Sequence, residues 1–146
     1  MQPRFAMGVA TIAFVLHFAW EWVQCQPYFV HGAIAPTKTA MLVATFGDLG
    51  LTLLAYVATA AVTRAWDWPL RPWGWRGWLS LEASAVGLSM LIEWRALDTG
   101  RWSYTDAAPL LPGISISIMP LLQLALLFPA SFWLARLRWT RQGASL

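Results

Sequence analysis

The sequence predicts an all-α fold, a four-helix bundle that spans a membrane, and three observations lead to this prediction. First, 58% of the 146 residues are hydrophobic and only 12% are charged, about half the charged fraction of a typical soluble domain. Second, four stretches are long enough to cross the hydrocarbon core of a bilayer, which takes about 20 predominantly apolar residues in a helix. Third, every connection between these stretches contains proline or glycine, as breaks between helices usually do.

The whole chain, residues 1–146, is predicted to form a single transmembrane domain. The first span follows Arg4 as the apolar core of a signal peptide would, but no small-residue cleavage site comes after it, so we expect this helix to be retained. The single cysteine, Cys25, excludes a disulfide within the chain and a zinc site built on several cysteines. The predicted spans cover about 5–25, 40–62, 77–97 and 115–137.

The distribution of arginine predicts the orientation of these spans. Because loops on the cytoplasmic side carry an excess of Lys and Arg, we expect both termini of the chain to lie in the cytoplasm. We attribute the net charge of +3 to this topology and predict no nucleic-acid partner. The segment RAWDWPLRPWGWRGW, which joins the second span to the third and includes the first residues of the third, carries five tryptophans. We interpret them as anchors at the cytoplasmic interface. The arginines on that side are Arg4, Arg64, Arg71, Arg76, Arg136, Arg138 and Arg141.

Ionisable side chains interrupt the first span near its end, in the segment HFAWEWVQ. His17, Glu21 and Gln24 are four and three residues apart, so they share one face of the predicted helix. An ionised carboxylate exposed to lipid is energetically costly. We therefore expect this face to point into the bundle.

Each of the other three spans contributes a polar side chain at the same predicted depth, in the outer half of the membrane. These are Asp48 in the second span, Glu93 in the third and Gln123 in the fourth, at the level of Glu21 in the first. Carboxyl groups at one depth repel one another, so we expect at least one to be protonated or a cation to lie among them. The alternative is a purely structural role, since interhelical hydrogen bonds hold membrane helices together.

The segment before the last span, DTGRWSYTDAAPLLPGISISIMP, is too long and too apolar at its end for a simple connection. Pro120 would either kink a continuous helix or start a new one. We expect a short non-helical or re-entrant segment, which is tolerated at membrane depth only against protein or a water-filled cavity. Trp102 and Tyr104 would then cover the polar cluster.

The chain resembles a group of small bacterial four-helix membrane proteins with no assigned activity. The resemblance lies in the order of three motifs, which are WEWVQ, then GDLGLTLLAY, then IEW with GRWSY and PGISISIMPLLQ. This resemblance covers nearly the whole chain and implies a multi-pass protein of the bacterial inner membrane. A short part of the chain also resembles the membrane lycopene cyclase domains of carotenoid synthesis, in which a helix opens with proline and paired acids. Pro120 matches that proline, whereas Leu121, Leu122 and Gln123 stand in place of the acids.

The first functional hypothesis is a membrane enzyme that cyclises or isomerises a lipid-soluble, isoprenoid-like substrate. Glu21, Asp48 and Glu93 are its candidate catalytic residues, with the roles of acid, base and electrostatic support not assigned among them. Aromatic walls would stabilise a carbocation by cation–π attraction, and the hypothesis requires no cofactor. The candidate substrate-binding residues are His17, Trp20, Trp94, Trp102, Tyr104 and Gln123, with Trp22 as a further aromatic wall.

A metal-dependent site is the second hypothesis. A nitrogen and several carboxylate oxygens form a ligand set suited to iron or manganese. The following loop would add His31 to the set. The metal ligands would be His17, Glu21, Asp48 and Glu93.

Two further hypotheses do not require chemistry at this cluster. An ion or proton translocator of this size would have to form a homo-oligomer, because four spans are few for one chain. A non-catalytic subunit or assembly factor of a larger membrane complex would pack on partner helices through Gly47, Gly50 and Gly87.

Overall fold

The computed structural model describes residues 3–31 and 36–143, with the side chains of all but the last three of these. The described chain is an all-helical bundle of four helices, as predicted. Two short strands and a single turn of 3-10 helix, Trp68–Leu70, complete it. The helices are α1 (Pro3–Tyr28), α2 (Lys38–Thr63), α3 (Trp75–Asp98) and α4 (Ile118–Gly143), and the strands are β1 (Phe29–Val30) and β2 (Ser103–Tyr104).

Three of the four helices are long and apolar enough to cross a membrane: Pro3–Tyr28, Lys38–Thr63 and Ile118–Thr140. The third predicted span coincides with α3, whose 24 residues have sufficient length. Its composition is more polar than that of the other three, because it carries Glu82 and Glu93 among several serines. The membrane class is thus supported by three helices rather than by the predicted four.

The helices follow one another around the bundle in chain order. Helix α1 packs against α2 and α4, and α3 packs against the same two helices. The first turns of α1 lie beside the last turns of α4, since the rings of Phe5 and Trp139 meet edge to face with centroids 5.8 Å apart. The first and the last described residues therefore lie at one end of an up-and-down bundle.

Local signals in the sequence account for the ends of two helices. The side chain of Thr37 caps α2 by accepting a hydrogen bond from the backbone N–H of Ala40. Arg64, in the left-handed conformation at φ 53°, ends the same helix. Helix α4 begins at Ile118, with Pro120 in its first turn. A proline is tolerated there because the first N–H groups of a helix have no partner within the helix, so Pro120 starts a helix and does not kink one.

The connection before α4 is non-helical, as predicted, and it folds over the end of α1. Strands β1 and β2 pair antiparallel, with Phe29 opposite Tyr104 and Val30 opposite Ser103. The hydroxyl of Thr105 also donates a hydrogen bond to the backbone oxygen of Pro27 at 2.7 Å. These contacts hold the aromatic side chains of the connection above the interior of the bundle.

The connection between α2 and α3 departs in part from the predicted row of interfacial anchors. Trp68 is buried, packs at 4.9 Å from the ring of Phe132, and donates from its indole N–H to the backbone oxygen of Tyr56. It belongs to the core at this end of the bundle, and Trp73 is half-buried against it. The other three tryptophans, Trp66, Trp75 and Trp78, are exposed.

Candidate functional site

Polar side chains from α1, α2 and α4 meet inside the bundle, in the half that lies towards the two strands. His17, Glu21 and Gln24 are all buried, as their common helix face predicts. Helix α2 contributes Asp48, and α4 contributes Gln123 from the second turn after its start. The spacing predicted the shared face on α1, and the packing of the helices brings the other two side chains to it.

The amide group of Gln123 is the centre of this cluster. Its Nε2 atom lies 2.7 Å from Oδ2 of Asp48, 3.0 Å from Oε1 of Glu21 and 3.2 Å from Nδ1 of His17. Its Oε1 atom accepts a hydrogen bond of 2.6 Å from Nε2 of Gln24. One neutral side chain thus joins α4 to both α1 and α2.

The hydrogen bonds of Thr52 determine which nitrogen of His17 carries the proton. The Thr52 hydroxyl donates to the backbone oxygen of Asp48 at 2.8 Å, so its oxygen is left to accept. The His17 Nε2 atom, 3.2 Å away, must then be the donor. This leaves Nδ1 as an acceptor facing Gln123, which describes a neutral imidazole protonated on Nε2.

The amide protons of the cluster are as many as the acceptors around them. Nε2 of Gln123 carries two protons and faces acceptors on His17, Glu21 and Asp48. Nε2 of Gln24 carries two more and faces Oε1 of Gln123 and Oε1 of Glu21. Oδ2 of Asp48 also lies 3.5 Å from Nδ1 of His17. Two carboxyls and an imidazole therefore share one hydrogen-bond network.

Further donors hold Glu21 and Gln24 in place. The thiol of Cys25 donates a hydrogen bond to Oε2 of Glu21 at 2.8 Å, and Nε2 of Gln24 donates one to Oε1 of Glu21 at 3.0 Å. The indole N–H of Trp20 in turn donates to Oε1 of Gln24 at 2.8 Å. We did not predict the role of Cys25, although its position four residues after Glu21 places the two side chains on one face.

Glu93 belongs to a second polar group, formed with the strand connection. Its Oε2 atom accepts a hydrogen bond from the hydroxyl of Tyr104 and another, at 3.2 Å, from the indole N–H of Trp102. Burial raises the pKa of Tyr104, and its hydrogen bond to Glu93 raises that pKa further. Tyr104 therefore stays protonated and acts as a donor to Glu93.

Both polar groups line a cavity of about 190 Å³. Glu21, Asp48 and Gln123 line it from α1, α2 and α4, and Glu93 lines it from α3. Val43 also lines the cavity although 55% of its surface is exposed, so the cavity reaches the outer surface of the bundle along α2. Its apolar lining includes Met41, Val43, Ala44, Leu51, Ile92 and Leu124.

The structure divides the nine predicted site residues among the first polar group, the second polar group and the outer surface of the bundle. His17, Glu21, Asp48 and Gln123 form the first polar group, to which Trp20 is attached through Gln24. Trp102 and Tyr104 hold Glu93 in the second. Trp94, like the further candidate Trp22, is exposed on the outside of the bundle and does not line the cavity. The exposed fractions are 60% for Trp94 and 49% for Trp22.

The candidate metal ligands of the first polar group are joined to Gln123 by hydrogen bonds. The amide nitrogen of Gln123 points at the lone pairs of His17, Glu21 and Asp48 that a metal ion would use. Within residues 3–31 and 36–143, no group of three or more His, Cys, Asp or Glu side chains has a metal-binding arrangement. His31 lines the same cavity.

Comparisons with protein-family models, with curated proteins and with solved structures found no match for this chain. Its function is therefore inferred from the geometry of the cavity alone.

Proposed function

We propose that this chain is an integral membrane enzyme that uses carboxyl groups inside the bundle for acid–base chemistry on a lipid-soluble, isoprenoid-like substrate. In this proposal all four helices span the bacterial inner membrane, both termini lie in the cytoplasm, and the connection before α4 enters the membrane as a cover over the cavity. The observation that carries the proposal is the position of three carboxyls around one cavity, the buried Glu21 and Glu93 and the partly buried Asp48.

The two polar groups provide carboxyls for the two steps of the proposed reaction, the addition of a proton to the substrate and the removal of a proton from it. In this proposal one carboxyl of the Glu21–Asp48 pair carries a proton and donates it to a double bond or an epoxide of the substrate, which leaves a carbocation. The same pair, or Glu93 across the cavity, would then remove a proton from a neighbouring carbon to form the new double bond. The substrate gains one proton and loses one proton, so its elemental composition does not change. The reaction is therefore a cyclisation or an isomerisation.

Aromatic side chains beside the cavity support a cationic intermediate. Trp102 and Phe29 line the cavity, and their rings meet edge to face with centroids 6.2 Å apart. The guanidinium of Arg101, which also lines the cavity, lies 5.3 Å from the centroid of the Trp102 ring, so Trp102 already contacts a cation. Aromatic faces attract a cation, and more strongly where water is excluded. The opening beside Val43 lies on the face of α2 that would contact lipid, so a substrate dissolved in the bilayer would have a direct route in.

Solvent deuterium tests the proposed chemistry even where the product has not been identified. Membranes that contain the protein would be incubated in D₂O with linear polyene isoprenoids, and the products analysed by mass spectrometry. Protonation of a substrate double bond from the Glu21–Asp48 pair should leave one carbon-bound deuterium in each product. Asp48→Asn should reduce deuterium incorporation by about 100-fold or more, the range expected for loss of a general acid.

Glu82→Gln is the matched control for Asp48→Asn. Glu82 is half-buried on α3 and does not line the cavity, so this variant should retain the wild-type level of incorporation. Full activity of Asp48→Asn, or an equal loss in Glu82→Gln, would argue against the proposal.

A non-catalytic subunit is the second candidate, and the exposed glycines favour it. A Cβ atom added at Gly47, Gly50 or Gly87 would meet nothing within 4 Å, so none of the three is needed for close packing within this bundle. Small residues on an outer face allow a partner helix to approach closely. Purification in a mild detergent with a stoichiometric partner, lost on Gly50→Leu, would favour this candidate over the enzyme.

A further inference from the structure

Ser89 on α3 stands out because its hydroxyl is buried and has no partner. The residue is 2% exposed, and its Oγ atom has no hydrogen-bond partner among the described residues. It lines the cavity one helical turn before Glu93. A buried hydroxyl without a partner loses its hydrogen bonds to water and receives nothing in return.

Comparable hydroxyls elsewhere in the helices avoid this loss by bonding to the preceding turn. Ser84, on the same helix, donates to the backbone oxygen of Ser80 at 2.8 Å, and Thr45 donates to that of Met41 at 2.8 Å. Such bonds are the usual solution for Ser and Thr in membrane helices. The hydroxyl of Thr59 and Nδ1 of His31 also lack a partner among the described residues. Thr59 does not line the cavity, whereas His31 does and offers a second polar contact there.

The rest of the cavity makes an external partner for Ser89 reasonable. Asp48 and Gly47 line it from α2, and a Cβ atom added to Gly47 would meet nothing within 4 Å, so the space beside it is open. Rotation about the single Cα–Cβ bond of Ser89 moves its hydroxyl between three staggered positions. A ligand between α2 and α3 would thus have both a hydroxyl and a carboxyl within its reach.

From these observations we propose that Ser89 is a substrate-binding residue that takes a neutral oxygen group, such as a hydroxyl, carbonyl or epoxide oxygen, of a ligand in this cavity. The inference rests on the proposed function and narrows its substrate class from isoprenoids in general to oxygenated isoprenoids. A pure hydrocarbon would fill the apolar lining but leave Ser89 unpaired, so the site discriminates against it.

A matched pair of C15 probes tests the inference by binding alone. Nanodiscs with the protein would be loaded with tritiated farnesol and competed with unlabelled farnesol or with the hydrocarbon farnesene, after subtraction of protein-free nanodiscs. Farnesol should compete at about 5-fold lower concentration than farnesene, as one net hydrogen bond predicts. Ser89→Ala should remove most of this preference, while Ser84→Ala, which alters a hydroxyl bonded within its own helix, should keep it.

The outcomes separate this inference from the proposed function. Absence of saturable farnesol binding, equal competition by the two probes, or an unchanged preference in Ser89→Ala would overturn the role of Ser89, whatever the deuterium experiment shows. A preference lost only in Ser89→Ala would support it. If that preference is found and no substrate incorporates deuterium, the enzyme proposal fails while the oxygen-binding site stands.

Discussion

The side-chain nitrogen of Gln123 lies 2.7 Å from Oδ2 of Asp48, and this hydrogen bond joins α4 to α2. The two helices are diagonally opposite in the bundle, since each packs mainly against α1 and α3. The bond therefore crosses the centre of the bundle, where the same nitrogen also approaches Glu21 and His17. A single amide fixes the relative rotation of three helices.

Replacement of Gln123 by leucine should destabilise the bundle. The change removes the donor that Glu21 and Asp48 share and leaves both carboxyls with fewer partners in a buried site. We expect a loss of about 1–3 kcal/mol in the free energy of unfolding, the usual effect of leaving buried polar groups unpaired. Equilibrium unfolding in mixed detergent micelles would measure it. Gln26→Leu, at an exposed position of α1, is the control, and an equal loss in both variants would refute the role of Gln123.

The neutral form of His17 with its proton on Nε2 is a second testable consequence. Solid-state nitrogen NMR of protein labelled at histidine should show one protonated and one unprotonated ring nitrogen for His17 at neutral pH. The variant His31→Gln removes the other histidine and assigns the signals. Thr52→Val should disturb the Nε2 signal more than the Nδ1 signal, because Thr52 contacts only Nε2. A doubly protonated ring would contradict the hydrogen-bond pattern.

Periodicity in the sequence was sufficient to predict part of this site. The spacing of His17, Glu21 and Gln24 predicted a shared face, and the structure buries all three on it. The contacts between side chains of different helices depend on how each helix is rotated about its axis and on which helices are neighbours. Both are determined by the packing of the whole bundle. The bridge formed by Gln123 could not be predicted from spacing for this reason.

The exposed position of Trp94 shows why proximity in sequence is a poor guide to a shared site on a helix. Trp94, which follows Glu93 directly, was predicted to be one of the aromatic walls of the site. In an α-helix, however, successive residues point about 100° apart, so a buried Glu93 directs its neighbour away from the interior. Trp22, next to Glu21, is exposed for the same reason.

The buried Trp68 should be far more important for stability than the exposed Trp75. Trp68 packs against Tyr56 and Phe132 and donates a hydrogen bond to a backbone oxygen. Trp68→Ala should lower the free energy of unfolding by about 3–5 kcal/mol, the usual effect of removing a buried tryptophan. Trp75 is 71% exposed, so Trp75→Ala should have little effect. Similar losses in the two variants, measured by unfolding in mixed micelles, would argue that both act as interfacial anchors.

Because of Tyr104, the free energy of unfolding should fall at alkaline pH. Its hydroxyl donates to Glu93, and burial followed by this hydrogen bond raises its pKa above the ordinary value. A raised pKa in the folded state means that the folded protein holds this proton more tightly than the unfolded chain does. The resulting stability is fully present below the ordinary tyrosine pKa of about 10, and it is lost as the pH rises towards the raised pKa of the folded state.

Tyr104→Phe isolates this contribution, because phenylalanine keeps the ring and removes the ionising hydroxyl. The variant should be less stable than the wild type near neutral pH, since Glu93 then retains only the hydrogen bond from Trp102. Above about pH 10 the wild type should lose stability more steeply than the variant, so the difference between them narrows. Unfolding measured across this pH range would reveal the narrowing, with Tyr28→Phe as the control outside the cluster. Parallel curves for wild type and Tyr104→Phe would mean that Tyr104 does not hold its proton for Glu93.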